Sequence, residues 1–283
     1  MLFKIVNDFQ PSQLVVAFDR AAPTFRKEMF KAYQAKRPKM DEDLVPQVDQ
    51  VHELLTAFKI PVYEMDGYEA DDIIGTLCRE VQRSKLKVQV IVVTGDKDLL
   101  QLVKEEKVLV FMPTKGLSEG RLYGVKEVRE RMGVSPDKIP DLKALAGDAS
   151  DNYPGVPGVG PKTAVELLKK FGSVEKLFKA VKKHQAKLNP ALLTRLEEGI
   201  ESAEMSHRLA TIKTDVPIEI DWQKMNFAGL DTDSARRKLE ELHFPSLLKR
   251  LDKTQNQPSI KLKLEHEFNE AKDKKESKQQ ELF

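Results

Sequence analysis

The stretch VQVIVVTGDKD, residues 88–98, decides the fold class. Its first half is short, β-branched and almost wholly apolar, so both faces of the strand ask for cover, as in a parallel sheet flanked by helices. Its second half turns through Gly95 and ends in two carboxylates, Asp96 and Asp98. Groups just beyond the carboxyl ends of parallel strands face the ligand crevice of an α/β sheet. Residues 14–19 (LVVAFD) repeat the design and end in Asp19, and residues 108–112 (VLVFM) give a third apolar run. Between them, residues 44–58 and 70–83 carry apolar residues at helical spacing. This alternation predicts an α/β arrangement with a mostly parallel sheet.

Past residue 125 the strand-like runs stop. Helices punctuated by Gly and Pro are expected at 125–132, 140–145, 162–171, 174–182, 190–198 and 232–239, with 218–221 as one short extended piece. From residue 252 the chain carries seven lysines, seven acids and scattered apolar residues, the composition of a flexible tail. The expected organisation is an α/β domain over 1–125, a helical region over 126–251 and a tail over 252–283.

Composition narrows the chemistry. The 283 residues are 40% hydrophobic and 33% charged, which fits a folded core with a charged surface. Net charge is only +2, so affinity for nucleic acid has to come from local segregation of charge. One cysteine, Cys78, excludes a disulfide framework and a cysteine-rich zinc site, and the five histidines do not cluster. No apolar run approaches the roughly 20 residues needed to span a bilayer, and the first eight residues do not read as a signal peptide. A cytoplasmic monomer is expected.

Acidic residues are distributed with a pattern. Glu69, Asp71 and Asp72 open a helix in GYEADD (67–72), with Glu69 and Asp72 on one face. Asp148 and Asp151 are three apart in GDASDN (147–152). With Asp19, Asp96 and Asp98 this makes eight carboxylates on four segments. Gathered in one crevice they would repel one another strongly unless cations intervene. Mg²⁺ or Mn²⁺ takes oxygen ligands, and a pair of such ions suits phosphodiester cleavage. Taken singly, acids at a helix start complement the helix dipole and an Asp after a strand forms turns.

Residues 20–40 hold seven basic residues, Arg20, Arg26, Lys27, Lys31, Lys36, Arg37 and Lys39, against one acid, Glu28, with Phe25, Phe30 and Tyr33 interleaved. Charges for phosphates and rings for bases make a single-strand-binding surface. Further on, GVPGVGPKTA (155–164) approaches a Walker loop, but Pro161 separates Gly160 from Lys162 and no buried strand precedes it, so nucleotide binding is rejected. A glycine turn entering a helix instead offers backbone N–H groups, from Gly155, Gly158, Gly160, Lys162 and Thr163, to a phosphate.

Together VVAFD (15–19), Phe25-Arg26, residues 33–38, GYEADD, TGDKD (94–98), GDASDN and PGVPGVGPKTA (154–164) resemble the 5′-nuclease family, which includes the 5′→3′ exonuclease domain of bacterial DNA polymerase I and its stand-alone and flap-endonuclease relatives. The resemblance covers about residues 1–250. It implies a PIN-like, resolvase-like α/β domain with a helical arch, then a helix–loop–helix region gripping duplex DNA. It implies metal-dependent cleavage at DNA 5′ ends, flaps or primers, with two Mg²⁺ or Mn²⁺ ions. By the family pattern Asp19, Glu69 and Asp71 line one metal position, and Asp72, Asp96, Asp98, Asp148 and Asp151 line the second or its surroundings. Arg26 and Arg37 would hold the scissile-side strand, and the glycine loop would grip the downstream duplex, often with a monovalent cation such as K⁺; Lys27 and Lys36, from the basic segment itself, are expected to contribute to DNA binding.

Two departures bear on activity. The family begins with a buried strand ending in Asp-Gly, upstream of the 15–19 strand, whose Asp is the first metal ligand; here the chain begins at Met1, in what reads as the following helix. The arch reads Tyr33-Gln34-Ala35-Lys36-Arg37-Pro38, with Gln34 where the family has a lysine. On a helix Lys36 would be turned away by about 200°, whereas Lys31 stands on the required face. These departures leave room for a DNA-structure-binding protein that has lost catalysis, or for a start site that lies upstream. Finally, Gln279, Leu282 and Phe283 in the terminal QQELF resemble a sliding-clamp-binding peptide.

Overall fold

The structure is a computed structural model and describes residues 1–84, 88–105, 107–114 and 119–254. The 279–283 peptide lies outside the described residues. In chain order the elements are α1 (Leu2–Phe9), β1 (Val16–Ala17), α2 (Phe25–Met29), α3 (Val45–Ala57), β2 (Val62–Tyr63), α4 (Ala70–Arg83), β3 (Val90–Val93), β4 (Val108–Pro113) and β5 (Gly120–Tyr123). Then follow α5 (Val125–Met132), α6 (Ile139–Ala146), α7 (Pro161–Phe171), α8 (Val174–Lys182), α9 (Pro190–Glu198), α10 (Ile200–Ala210), α11 (Asp233–Glu241) and α12 (Pro245–Thr254). Among the described residues no helix is long and apolar enough to cross a membrane.

The chain divides into two compact units. One is discontinuous and gathers Met1–Val16, Met40–Val62 and the chain from Asp221. Within it Phe3 meets Phe58 edge to face, α11 packs on α3, and the Thr232 hydroxyl caps α11 while also reaching the Ala57 carbonyl. Helix α12 runs to Thr254, so it takes in the first three residues of the expected tail.

The other unit, Ala17–Lys39 with Tyr63–Ile220, carries the site. Its sheet has the order β3-β4-β5. β3 runs parallel to β4, with Val90 opposite Val108, and β5 adds an antiparallel edge, with Tyr123 opposite Val110. The apolar runs read from sequence are therefore the parallel pair. β5 escaped the reading because GRLY is an edge strand with one buried side chain, Tyr123. The run 14–19 is a correction: only Val16–Ala17 is strand, it is half-buried on both faces, and it pairs with β2 alone. Residues 218–221 form no strand.

The core beneath the sheet is continuous with the helical part. Leu99, Leu100, Val108, Val110, Val128, Ile139, Leu145, Leu177 and Leu196 are all fully buried in one cluster. Each large aliphatic residue buried there contributes roughly 1.5–3 kcal/mol of transfer free energy. Helix α10, unread in the sequence because small and polar residues interrupt its apolar stripe, packs on α6 and buries Ala203, Ser206, Leu209 and Ala210. Gly75 of α4 lies where a Cβ would come within 2.6 Å of Ile212 Cγ2 and 2.8 Å of the Lys213 carbonyl. The absent side chain lets the 211–214 segment cross close over α4.

Candidate metal centre

Helix α4 organises the acids. Its N-cap, Glu69, is extended, and Asp71 and Asp72 fill the first turn, where negative charge complements the helix dipole. Asp19 Oδ1 accepts from the Ala70 amide at 2.8 Å, and Asp72 Oδ2 accepts from the Glu69 amide at 3.1 Å. Asp72 is completely buried. Arg26, 2% exposed, grips it through two parallel bonds of 2.7 and 2.8 Å, and the Lys213 amide donates to Asp72 Oδ1 at 2.8 Å. The remaining Arg26 donors reach the Leu209 and Thr211 carbonyls at 2.8 and 3.0 Å, and its guanidinium lies 3.2 Å from Glu69. Asp72 has both oxygens engaged away from the cleft, so it stands behind the ion position and does not face it. Arg26 lines the cleft wall, with its guanidinium donors taken by Asp72, Glu69 and two carbonyls.

The other seven acids stay together. A cleft of about 450 Å³ is lined by Asp19, Glu69, Asp71, Asp96, Asp98 and Asp151. Burial pushes Asp71 up to about 8, and the charges of Asp96, Glu69, Asp19 and Asp98 push the same way. Burial takes Glu69 up to about 7 against the pull of Arg26, and Asp98 up to about 6 against the pull of Lys143. Among the described residues Asp71 accepts no hydrogen bond. Asp96 Oδ1 accepts from the Asp98 amide at 2.8 Å, which folds the turn after β3 so that both acids stand at its end. One oxygen each of Asp98, Asp148 and Asp151 lie within 4.8 Å of one another.

Sequence reasoning missed Lys143. It sits in the last turn of α6, and its ammonium contacts both Asp98 and Asp148. Although burial works against it, the Lys143 and Ser150 hydrogen bonds hold the Asp148 carboxyl below its ordinary range. The available signal was a single base in the apolar helix IPDLKALA immediately before GDASDN.

The arch segment is not a continuous helix. Helix α2 spans five residues, residues 31–37 are turns, and Gln34 is left-handed at φ 53°. The helical-face argument that favoured Lys31 over Lys36 therefore fails: both are exposed and neither lines the cleft. Gln34 instead turns inward. Its amide donates to the Asp151 carbonyl at 2.9 Å and its side chain donates to Asp151 Oδ1 at 3.1 Å. Tyr33 is buried, and its hydroxyl lies 3.3 Å from both Glu69 and Asp151. Lys27 donates to the Tyr33 carbonyl at 2.6 Å, so it braces the arch base from the cleft wall. Arg37 is exposed at the cleft rim, 3.9 Å from Asp151.

The glycine loop splits in two. Gly155 is buried at φ +62°; a Cβ there would lie 2.2 Å from the Gly147 nitrogen. Its amide donates to Ser206 Oγ at 3.1 Å and its carbonyl accepts from Ser202 Oγ at 2.6 Å. Gly155 therefore joins α6 to α10 and has no N–H to offer a phosphate, which corrects that expectation. Gly158, Gly160 and Lys162 are exposed and Thr163 half-buried at the start of α7, the arrangement of a helix N-terminus open to an anion.

Known proteins share the sequence and the fold. Residues 1–133 match the 5′-3′ exonuclease N-terminal resolvase-like domain, and residues 134–233 match the 5′-3′ exonuclease C-terminal SAM fold. The chain belongs to the 5′-3′ exonuclease family. The 5′-3′ exonuclease of Aquifex aeolicus is 39% identical over 259 residues, covering 92% of this chain and 85% of that one. DNA polymerase I of Bacillus subtilis is 42% identical over 251 residues, covering 89% of this chain and 28% of the polymerase. The chain thus spans little more than a quarter of the polymerase relatives it matches. The fold also matches T5 5′-exonuclease with bound zinc, with a TM-score of 0.62 at 21% identity over 86% of this chain and 87% of that one. A T5 flap endonuclease in a pseudo-enzyme-product complex with DNA and metal ions matches with a TM-score of 0.62 at 19% identity over 89% and 88%.

The donor set of this family member fits divalent cations. It is all carboxylate oxygen, the choice of hard ions, and a cationic side chain, Lys143, already stands in between two of its members. Without ions, the raised carboxyls have a measurable consequence. Asp71 titrates at about 8 in the fold and at about 3.9 in an unfolded chain. Between those values the folded state binds more protons than the unfolded one, so stability is highest below the lower value and falls as pH rises toward the upper. Each such group contributes up to about 1.4 kcal/mol per pH unit. Thermal melts in chelator should move down from about pH 5 to pH 8, and added Mg²⁺ should reverse the loss at pH 8. A chelated melting point that is flat or rises over that range would contradict the assignment.

Proposed function

We propose that the chain hydrolyses phosphodiester bonds at DNA 5′ ends and 5′ flaps as a metal-dependent nuclease. The observation that carries this reading is the gathering of six carboxylates on one cleft, with Asp148 joined to Asp98 and Asp151 beside it and with Asp71 accepting no hydrogen bond among the described residues. Asp19, Glu69 and Asp71 at the start of α4 form one ion position, and Asp98, Asp148 and Asp151, with Asp96 beside them, form the second. Two Mg²⁺ or Mn²⁺ ions there would activate water and stabilise the leaving oxygen. Tyr33 and Gln34 orient Glu69 and Asp151 from the arch base. Arg37 at the rim, with Lys31 and Lys36 exposed nearby in sequence, supplies positive charge to the phosphates of an entering single strand. Gly158, Gly160, Lys162 and Thr163 present the start of α7 to the duplex backbone, the place for a K⁺ shared with a phosphate. All seven acids come from one chain, so a monomer suffices. Contact with a sliding clamp through Gln279, Leu282 and Phe283 extends the same reading.

A 5′-labelled flap on a nicked duplex tests this. In Mg²⁺ the expected products are short 5′ fragments and released flaps, with none in chelator. Tight flap binding without cleavage in Mg²⁺ or Mn²⁺ would favour instead a structure-specific DNA-binding protein.

A further inference from the structure

Arg26 and Lys143 each contact two of the acids, and they are held in different ways. Arg26 spends its planar fork on Asp72, Glu69 and two carbonyls, and both it and Asp72 are buried. Lys143 makes only end-on contacts, to Asp98 and Asp148, through a flexible stem that leaves α6 near its carboxyl end. Those two carboxylates belong to the triad whose oxygens converge within 4.8 Å. A divalent ion coordinated there at about 2.1 Å draws on the same two carboxylates that the ammonium contacts. The side chains of Lys143, Asp98 and Asp148 are 13%, 15% and 13% exposed, so two cations brought onto these carboxylates would repel each other with little water to screen them.

We propose that Lys143 is a built-in counter-cation: its ammonium fills the Asp98–Asp148 position in the metal-free protein and is displaced by a divalent ion. The inference rests on the two-ion reading above and adds a competition within it. At the start of α4 Arg26 also touches Glu69, but its guanidinium is fixed on buried Asp72, and among the described residues no lysine or arginine pairs with Asp71, so the first ion has no flexible cation to displace. The second binds only by breaking both Lys143 contacts, which makes it the weaker site. The lysine in turn keeps Asp98 and Asp148 from driving apart while that site is empty.

Calorimetric titration of the metal-free full chain with Mn²⁺ tests the competition. Lys143→Met, which keeps the stem and removes the charge, should tighten the weaker site roughly tenfold or more. Lys143→Arg should not tighten it. In the unaltered protein, acetylation of Lys143 by an activated ester, read by peptide mass spectrometry, should rise several-fold when Mn²⁺ is added. This second measurement decides the matter if Lys143→Met does not fold without metal. Equal Mn²⁺ affinity in Lys143→Met and the parent, or acetylation that Mn²⁺ leaves unchanged or suppresses, would overturn the role of Lys143. Absence of Mn²⁺ binding in every variant would instead overturn the two-ion reading itself.

Discussion

Arg26→Ala should destabilise the protein by about 3–5 kcal/mol, because it strands the carboxylate of Asp72 in a place without water. Asp72 is completely buried and accepts from Arg26, the Glu69 amide and the Lys213 amide. The substitution also leaves the Leu209 and Thr211 carbonyls without their donor, each a further cost of about 1–3 kcal/mol if no water reaches it. Losses of this size take a large part of the 5–15 kcal/mol typical of a folded domain. Urea denaturation of the variant measures the loss directly. The paired change Arg26→Met with Asp72→Leu removes both charges and should recover much of it, since a buried ion pair contributes little net stability over a well-packed apolar pair. A guanidinium that instead gripped DNA would give an Arg26→Ala protein of parental stability and weaker flap binding.

Asp71→Asn should do the reverse: cleavage falls by roughly three orders of magnitude while the metal-free protein is as stable as the parent or more so. A ligand that places a catalytic ion is worth several kcal/mol in the transition state, and each 1.36 kcal/mol is tenfold in rate. The structural cost is small because Asp71 accepts no hydrogen bond among the described residues. Near pH 8 in chelator the amide removes a charge facing Asp96, Glu69, Asp19 and Asp98, so the melting point should rise. Cleavage at the parental rate in Mg²⁺ would remove Asp71 from the metal centre. The two substitutions separate acids and bases that share a motif, GYEADD, by what surrounds them.

That separation shows where reading the sequence stops. The motif places Glu69, Asp71 and Asp72 at one helix start, and the dipole argument for acids there applies to all three. Whether each faces an ion or an arginine depends on the close crossing of residues 211–214 over α4, which the bare Gly75 permits and which brings the Lys213 amide to Asp72. The glycines of 155–160 divide likewise. All three suit a tight turn, but only contact with α6 and α10 shows that Gly155 is spent on packing. Arch reasoning failed for a local cause: turns and a left-handed Gln34 replace the helix that the face argument assumed.

By itself the sequence determined the α/β class, the acids at the ends of β1 and β3, the acidic start of α4, the helical second half and membership of the 5′-nuclease group. These follow from periodicities of two and 3.6 and from short motifs, which are properties of neighbouring residues. Only the tertiary structure decided which carboxylates share the cleft, that Asp72 and Arg26 neutralise each other beneath it, that Gln34 and Tyr33 hold Asp151 and Glu69, and that Lys143 stands between Asp98 and Asp148. Apart from Lys143 with nearby Asp148, those contacts join residues from separate segments, 36 to 118 apart in the pairs with Tyr33 and 46 apart for Arg26 and Asp72. Their energies come from burial and from the lowered dielectric around paired charges, and neither exists until the segments have packed.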